Sequence, residues 1–155
     1  MDFFKQLLGY AFLIAIFWGT VVVVKKLSRV QVPNGYTDIN GLAEYTSYRM
    51  DETVTLRQYR TGDPVCYRMG GDDDRAVTFA WIAGLPGDEI AIAQGVVTVN
   101  GKPAGRGSDT RQPDAGPLRV PANHVFVLSD NHQLDSLAAG PIPAAAVRGR
   151  LGSLP

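Results

Sequence analysis

Lysine, histidine and cysteine are scarce in this chain. Four lysines occur in 155 residues: Lys5, Lys25, Lys26 and Lys102. The histidines are His124 and His132, and the only cysteine is Cys66. A single cysteine excludes an internal disulfide. With two histidines away from ligand spacing, it also leaves no basis for a zinc site. Formal net charge is zero, so there is no basic field of the kind a nucleic-acid surface requires. No repeat of 20–50 residues and no heptad pattern is present, and no long amphipathic helix follows the first thirty residues. These absences predict no metal, no small-molecule cofactor and no nucleic-acid partner. Cys66, within an apolar segment, reads as a core residue. The length allows one domain around one core.

The strongest positive feature is an uncharged run over residues 7–24, LLGYAFLIAIFWGTVVVV. Eighteen residues rise roughly 27 Å as a helix, close to the ~30 Å hydrocarbon core of a bilayer. Lys25, Lys26 and Arg29 stop the run, and Lys5 precedes it. Four consecutive valines make a poor cleavage site for a secretory leader. Residues 1–29 are therefore expected to be a membrane anchor, spanning residues 7–24, with the lipid bilayer as first partner. The basic residues around the span, taken alone, place the remainder in the cytoplasm.

Residues 30–155 read as a mostly β domain. Seventeen glycines and ten prolines punctuate short apolar segments. Residues 30–61 are polar with weak periodicity, although Val54, Leu56 and Gln58 alternate as a strand start would. Strands are expected at 65–69, 76–83, 89–93, 96–99, 125–128 and within 144–151. Gln94-Gly95 and Asn100-Gly101 read as hairpin turns, the latter of type I′. Residues 103–117 are expected to be an exposed loop. Asp72, Asp73 and Asp74 lack the alternating ligands of a calcium loop and read as a solvated tip.

Three segments, in order, resemble the bacterial type I signal peptidase (leader peptidase) family. The first is Thr61-Gly62-Asp63-Pro64-Val65. The second is Gly84-Leu85-Pro86-Gly87-Asp88, leading to Val99-Asn100-Gly101-Lys102-Pro103. The third runs from Phe126-Val127-Leu128-Ser129-Asp130-Asn131 through Leu134-Asp135-Ser136 to Gly140-Pro141-Ile142-Pro143 and Val147-Arg148-Gly149. The resemblance implies coiled antiparallel sheets forming an open barrel. It also implies a single-pass anchor in the cytoplasmic (inner) membrane with an extracytoplasmic domain, against the local charge bias.

The resemblance implies a serine nucleophile and a neutral lysine base, since only an unprotonated amine can take the hydroxyl proton. The family's serine precedes a methionine. Here Arg49 precedes Met50, and Ser47 is the only nearby serine. The lysine position is occupied by Ala80, and the basic residue after it by Trp81. Asp135 and Ser136 match the family's supporting pair. However, only His132 and Gln133 lie between Asp130-Asn131 and Leu134-Asp135-Ser136, where the family has four residues, and Leu137 replaces the usual arginine. A triad of His132, Asp135 and Ser136 would require spatial convergence and an oxyanion hole, and His132 reads instead as a turn residue.

The reading is thus of a catalytically inactive relative that keeps a peptide-binding scaffold. It would serve as an assembly factor, chaperone or accessory subunit for a membrane or secreted protein partner. The alternative is an active serine endopeptidase cleaving secretory precursors with a displaced dyad that includes Ser47. The uncharged stretch Phe79, Ala80, Trp81 and Ile82 is either core on both faces or a docking surface on one.

Overall fold

The computed structural model describes residues 10–11, 13–18, 27–33, 42–68, 77–104, 114–129 and 133–152. Residues 10–11 and 13–18 are helical, and Leu13, Ile14, Phe17 and Trp18 are all exposed. Among the described residues no helix is long and apolar enough to cross a membrane. The rest of the expected span lies outside the described residues, as do Asp72 to Asp74 and His132.

Eleven strands follow: β1 Leu27–Gln31, β2 Ser47–Asp51, β3 Pro64–Tyr67, β4 Thr78–Gly84, β5 Glu89–Ala93, β6 Val96–Val99, β7 Lys102–Pro103, β8 Ala115–Arg119, β9 His124–Leu128, β10 Ile142–Pro143 and β11 Val147–Gly152. One short helix, α1 (Ser136–Ala139), lies between β9 and β10. The strands form a seven-stranded sheet in the order β1-β2-β11-β3-β4-β9-β10 and a four-stranded sheet in the order β7-β6-β5-β8. All pairings are antiparallel. The described domain is therefore mostly β, as expected. β1 and β10 end the large sheet without pairing to each other, so it is open.

Two turns follow directly from sequence. Asn100 and Gly101 both have positive φ, 51° and 77°, as a type I′ hairpin demands. Gln94 and Gly95 do the same at 53° and 76°. These turns fix the β5–β6–β7 meander, with Ile90 opposite Val99 and Ile92 opposite Val97.

Two apolar clusters sandwich the large sheet. The first gathers Met50, Cys66, Phe79, Trp81, Ala83, Phe126, Leu128 and Leu151 against Ile90 and Val97 of the small sheet and Val120 just after β8. The second, on the other face, gathers Val65, Tyr67, Ala80, Ile82, Val125, Val127 and Ile142 beneath Tyr59. Strand alternation splits β4 between them. Gly149 lets β11 approach β2, because a Cβ there would stand 2.7 Å from the Asp51 carbonyl oxygen.

Three sequence expectations need correction. Residues 115–119 form β8 rather than continuing an exposed loop, and Lys102–Pro103 form β7. Every residue of β8 is exposed, so it has no apolar alternation to reveal it. The polar stretch from residue 30 contains β2, where Tyr48 and Met50 are buried between exposed neighbours. Leu56–Gln58 is a 3-10 turn, not a strand start. The Gln58 Oε1 accepts from Thr55 N and Thr55 Oγ1 at 2.9 and 2.8 Å, closing the turn locally. The closing strand expected within 144–151 is β11, preceded by a 3-10 turn at Ala144–Ala146.

Candidate active site and family

Cross-strand register locates the positions that carry the resemblance. Asp51 pairs with Arg150, Arg150 with Val65, and Val65 with Ala80. These four residues make one row across β2, β11, β3 and β4, with side chains on one face. Arg49 lies two residues before Asp51 and so shares that face. Three inter-strand steps of about 4.8 Å, with two residues along β2, would put Arg49 roughly 16 Å from Ala80 if the sheet were flat. The register therefore places the two positions on one face with β11 and β3 between them.

Their surroundings also differ. Ala80 is fully buried, in the cluster with Val65, Tyr67 and Ile82. Tyr59 closes this region from above and is itself buried. Burial pushes the Tyr59 phenol above its ordinary pKa, partly offset by the Arg150 guanidinium. Arg49 is exposed, as is Ser47. Between the two regions, Arg150 approaches Asp63 at 3.5 Å, and Asp63 also accepts from the Arg60 N–H at 2.9 Å. The Asp51 carboxyl is held below its ordinary value, chiefly because it accepts from the Thr53 hydroxyl and N–H at 2.6 and 2.9 Å.

Phe79, Ala80, Trp81 and Ile82 are all buried, to 3% exposure or less. Both faces of β4 are core, so the docking-surface expectation for this stretch is corrected: neither face is open to a partner. The cause is coverage on both sides, by the small sheet on one and by Tyr59 with Val54 and Leu56 on the other.

Asp135 and Ser136 are brought together with β9. Asp135 caps α1, its Oδ1 accepting from Leu137 N at 2.8 Å, while Oδ2 accepts from Ser129 N at 3.1 Å. Ser136 Oγ accepts from Val127 N at 2.9 Å. Both side chains are buried and tie α1 to β9. Just upstream, the Tyr67 hydroxyl donates to the Leu134 carbonyl, linking β3 to this segment. Sequence reasoning missed Tyr59 and Tyr67, because nothing local marks either as a cover or a tether.

Lys102 is the only lysine among the described residues and is exposed on β7. Cys66 is buried, and burial pushes its thiol up to about 11, so it is protonated and poorly nucleophilic at neutral pH. His124 Nδ1 lies 2.9 Å from the Ala122 carbonyl oxygen. Among the described residues no group of three histidine, cysteine or acidic side chains could hold a metal ion.

Comparison with known proteins places this architecture. The model of the family described as "Signal peptidase, peptidase S26" matches residues 3–153. The "Probable signal peptidase I-2" of Synechocystis sp. is 40% identical over 73 residues, covering 44% of this chain and 34% of that protein. The "Signal peptidase I" of Leptolyngbya laminosa is 36% identical over 73 residues, covering 44% of this chain and 36% of that protein. The matched stretch thus spans about a third of each curated relative. With the family match running nearly end to end over an antiparallel β domain, the chain belongs to the signal peptidase family.

Proposed function

We propose that this chain is a membrane-anchored, catalytically inactive member of the signal peptidase family. It acts as an assembly factor, chaperone or accessory subunit for a membrane or secreted protein. The observation that carries this reading is Ala80, a buried methyl group where the resemblance places the base. An alanine cannot accept the hydroxyl proton that peptide-bond attack requires. The exposed Arg49, where the resemblance places the nucleophile, supports the same reading.

Family membership supports the second reading, an active endopeptidase with a displaced dyad that uses Ser47. Both are tested with the full chain in detergent and a precursor bearing a signal peptide. Under the inactive reading the precursor stays intact and crosslinking in native membranes captures a stable partner. Cleavage that disappears on Ser47→Ala would replace it with the displaced-dyad reading.

The anchor belongs to this proposal too. It is supported by the uncharged run at 7–24 and the exposed apolar side chains of helical residues 13–18. We place the domain on the extracytoplasmic side of the inner membrane. Protease added to spheroplasts should digest it; protection there, with digestion in inverted vesicles, would reverse the orientation.

A further inference from the structure

The β1–β2 ladder sets Arg29 directly opposite Arg49. Both are exposed. Residues paired in this way project from the same face, and like charges directly opposite destabilise a sheet. The acid on the described ladder, Asp51, sits opposite Leu27, two residues along from Arg49. On the far side of Arg49 the partner is Gly152, around whose Cβ position nothing lies within 4 Å. The neighbouring pair on the same face is Gln31 and Ser47, both uncharged. The nearest carboxylate in sequence on that face is Asp51, whose Oδ1 is engaged by Thr53.

The positive character continues across the sheet. Arg150 sits beside Asp51 on the next strand. It joins Arg57 and Arg60 around a polar cleft that holds Asp63. Among the described residues the face therefore displays five arginines against two aspartates, one tied to Thr53 and the other to Arg60 N and Arg150.

Its position in the chain supplies the partner. Leu27, at the start of β1, lies three residue steps beyond Val24, the last residue of the uncharged run. Three extended steps reach at most about 11 Å. That matches the ~10 Å Debye length within which surface charge is felt at moderate salt. Lys25 and Lys26 lie in that connection. We infer that the arginine face of β1, β2 and β11 docks onto the anionic phospholipid headgroups of the bilayer that holds the anchor, with lipid phosphate supplying the charge that Arg29 and Arg49 lack. The inference rests on the anchor reading above. It fixes which face of the domain meets the membrane, and so leaves the small sheet turned away.

The test uses the full chain reconstituted in vesicles, with a fluorophore on Ser47→Cys and an acceptor on the headgroups. Cys66 is buried and does not compete for the label. Energy transfer should rise when neutral phosphatidylcholine is replaced in part, at about 30 mol%, by phosphatidylglycerol. That increase should vanish in about 0.5 M NaCl, where the Debye length shrinks below a lipid headgroup. Arg29→Glu with Arg49→Glu should lower the docked-to-undocked ratio about tenfold or more. Arg29→Gln with Arg49→Gln should lower it less and without charge reversal.

Equal transfer on both vesicle types, with protein still bound, overturns the inference. The salt titration of the wild-type chain decides this even if a variant misfolds. Equal transfer accompanied by binding of poly-glutamate would assign the face to an acidic protein segment instead. Release from neutral vesicles at alkaline pH would overturn the anchor separately. In that event, retention on phosphatidylglycerol vesicles alone still supports the arginine face, and retention on neither overturns it.

Discussion

Arg49 and Ala80 project from the same face of the large sheet, but two whole strands, β11 and β3, lie between them. Putting serine and lysine back at these two positions should not rebuild a peptidase. A lysine side chain reaches roughly 6 Å, against roughly 16 Å to cross if the sheet were flat. Arg49→Ser with Ala80→Lys is expected to leave a precursor peptide uncleaved. It should also destabilise the fold, because an amine would be buried among Val65, Tyr67 and Ile82. Recovered cleavage would show that the two positions meet in solution and would overturn this placement.

Asp135 satisfies two backbone donors, Ser129 N and Leu137 N, from a fully buried position. Asp135→Ala should cost about 2–4 kcal/mol, the sum of a lost helix cap and an unsatisfied buried N–H. Ser136→Ala removes the acceptor of Val127 N and should cost about 1–3 kcal/mol. The two hold the same helix to the same strand, so the double variant should fall short of additivity. Denaturant unfolding of the full chain in micelles measures all three. Values near zero would mean that the pair is dispensable to the fold.

Trp81 is 3% exposed and packs in the cluster between the sheets. Trp81→Ala should cost about 3–5 kcal/mol. Leu118→Ala, at a side chain 42% exposed on β8, should change stability by no more than about 0.5 kcal/mol. Unchanged stability in the Trp81 variant with loss of a co-purifying partner would revive the docking reading of this stretch.

Burial raises the Cys66 thiol from 9.0 to about 11. The unfolded chain therefore releases this proton first as pH rises. Between the two values the unfolded state binds fewer protons than the folded one, so stability falls with increasing pH. The contribution is fully present below pH 9 and lost through pH 11, amounting to about 2–3 kcal/mol. Cys66→Ala should flatten the stability curve across that window, read as the slope rather than the absolute stability. Tyr59, shifted in the same direction by burial, leaves part of the slope in place.

How legible this was depends on the range of the determining contacts. β3, β4, β5, β6 and β9 are visible in sequence because apolar runs or alternation end at turn residues, and the Asn100-Gly101 backbone follows from residue type alone. β8 was hidden because Gly116 and Pro117 read as loop and none of its side chains is buried. β1 was hidden because it abuts the uncharged run, where Arg29 reads as a stop signal rather than a strand residue. Val54, Leu56 and Gln58 alternate like a strand, yet the Thr55–Gln58 hydrogen bonds favour a turn. For the site, resemblance identified Asp135 and Ser136, but not that their side chains serve backbone donors of β9. Tyr67 reaches across 67 residues to Leu134, and no local pattern encodes such a contact.

The order β2-β11-β3 has a consequence for biosynthesis. Strands made early leave a gap between them that only the last strand fills. Until residues 147–152 leave the ribosome, Met50 lacks Leu151 opposite it and Cys66 lacks Gly149. Such non-local pairing is slow to form and leaves strand edges unpaired in the meantime. A nascent chain arrested before Val147 should therefore be protease-sensitive through β2 and β3, and a full-length chain resistant. If the arrested chain is already resistant, the large sheet assembles without its inserted strand. Otherwise the large sheet closes only once residues 147–152 have emerged, with its earlier strands waiting on β11.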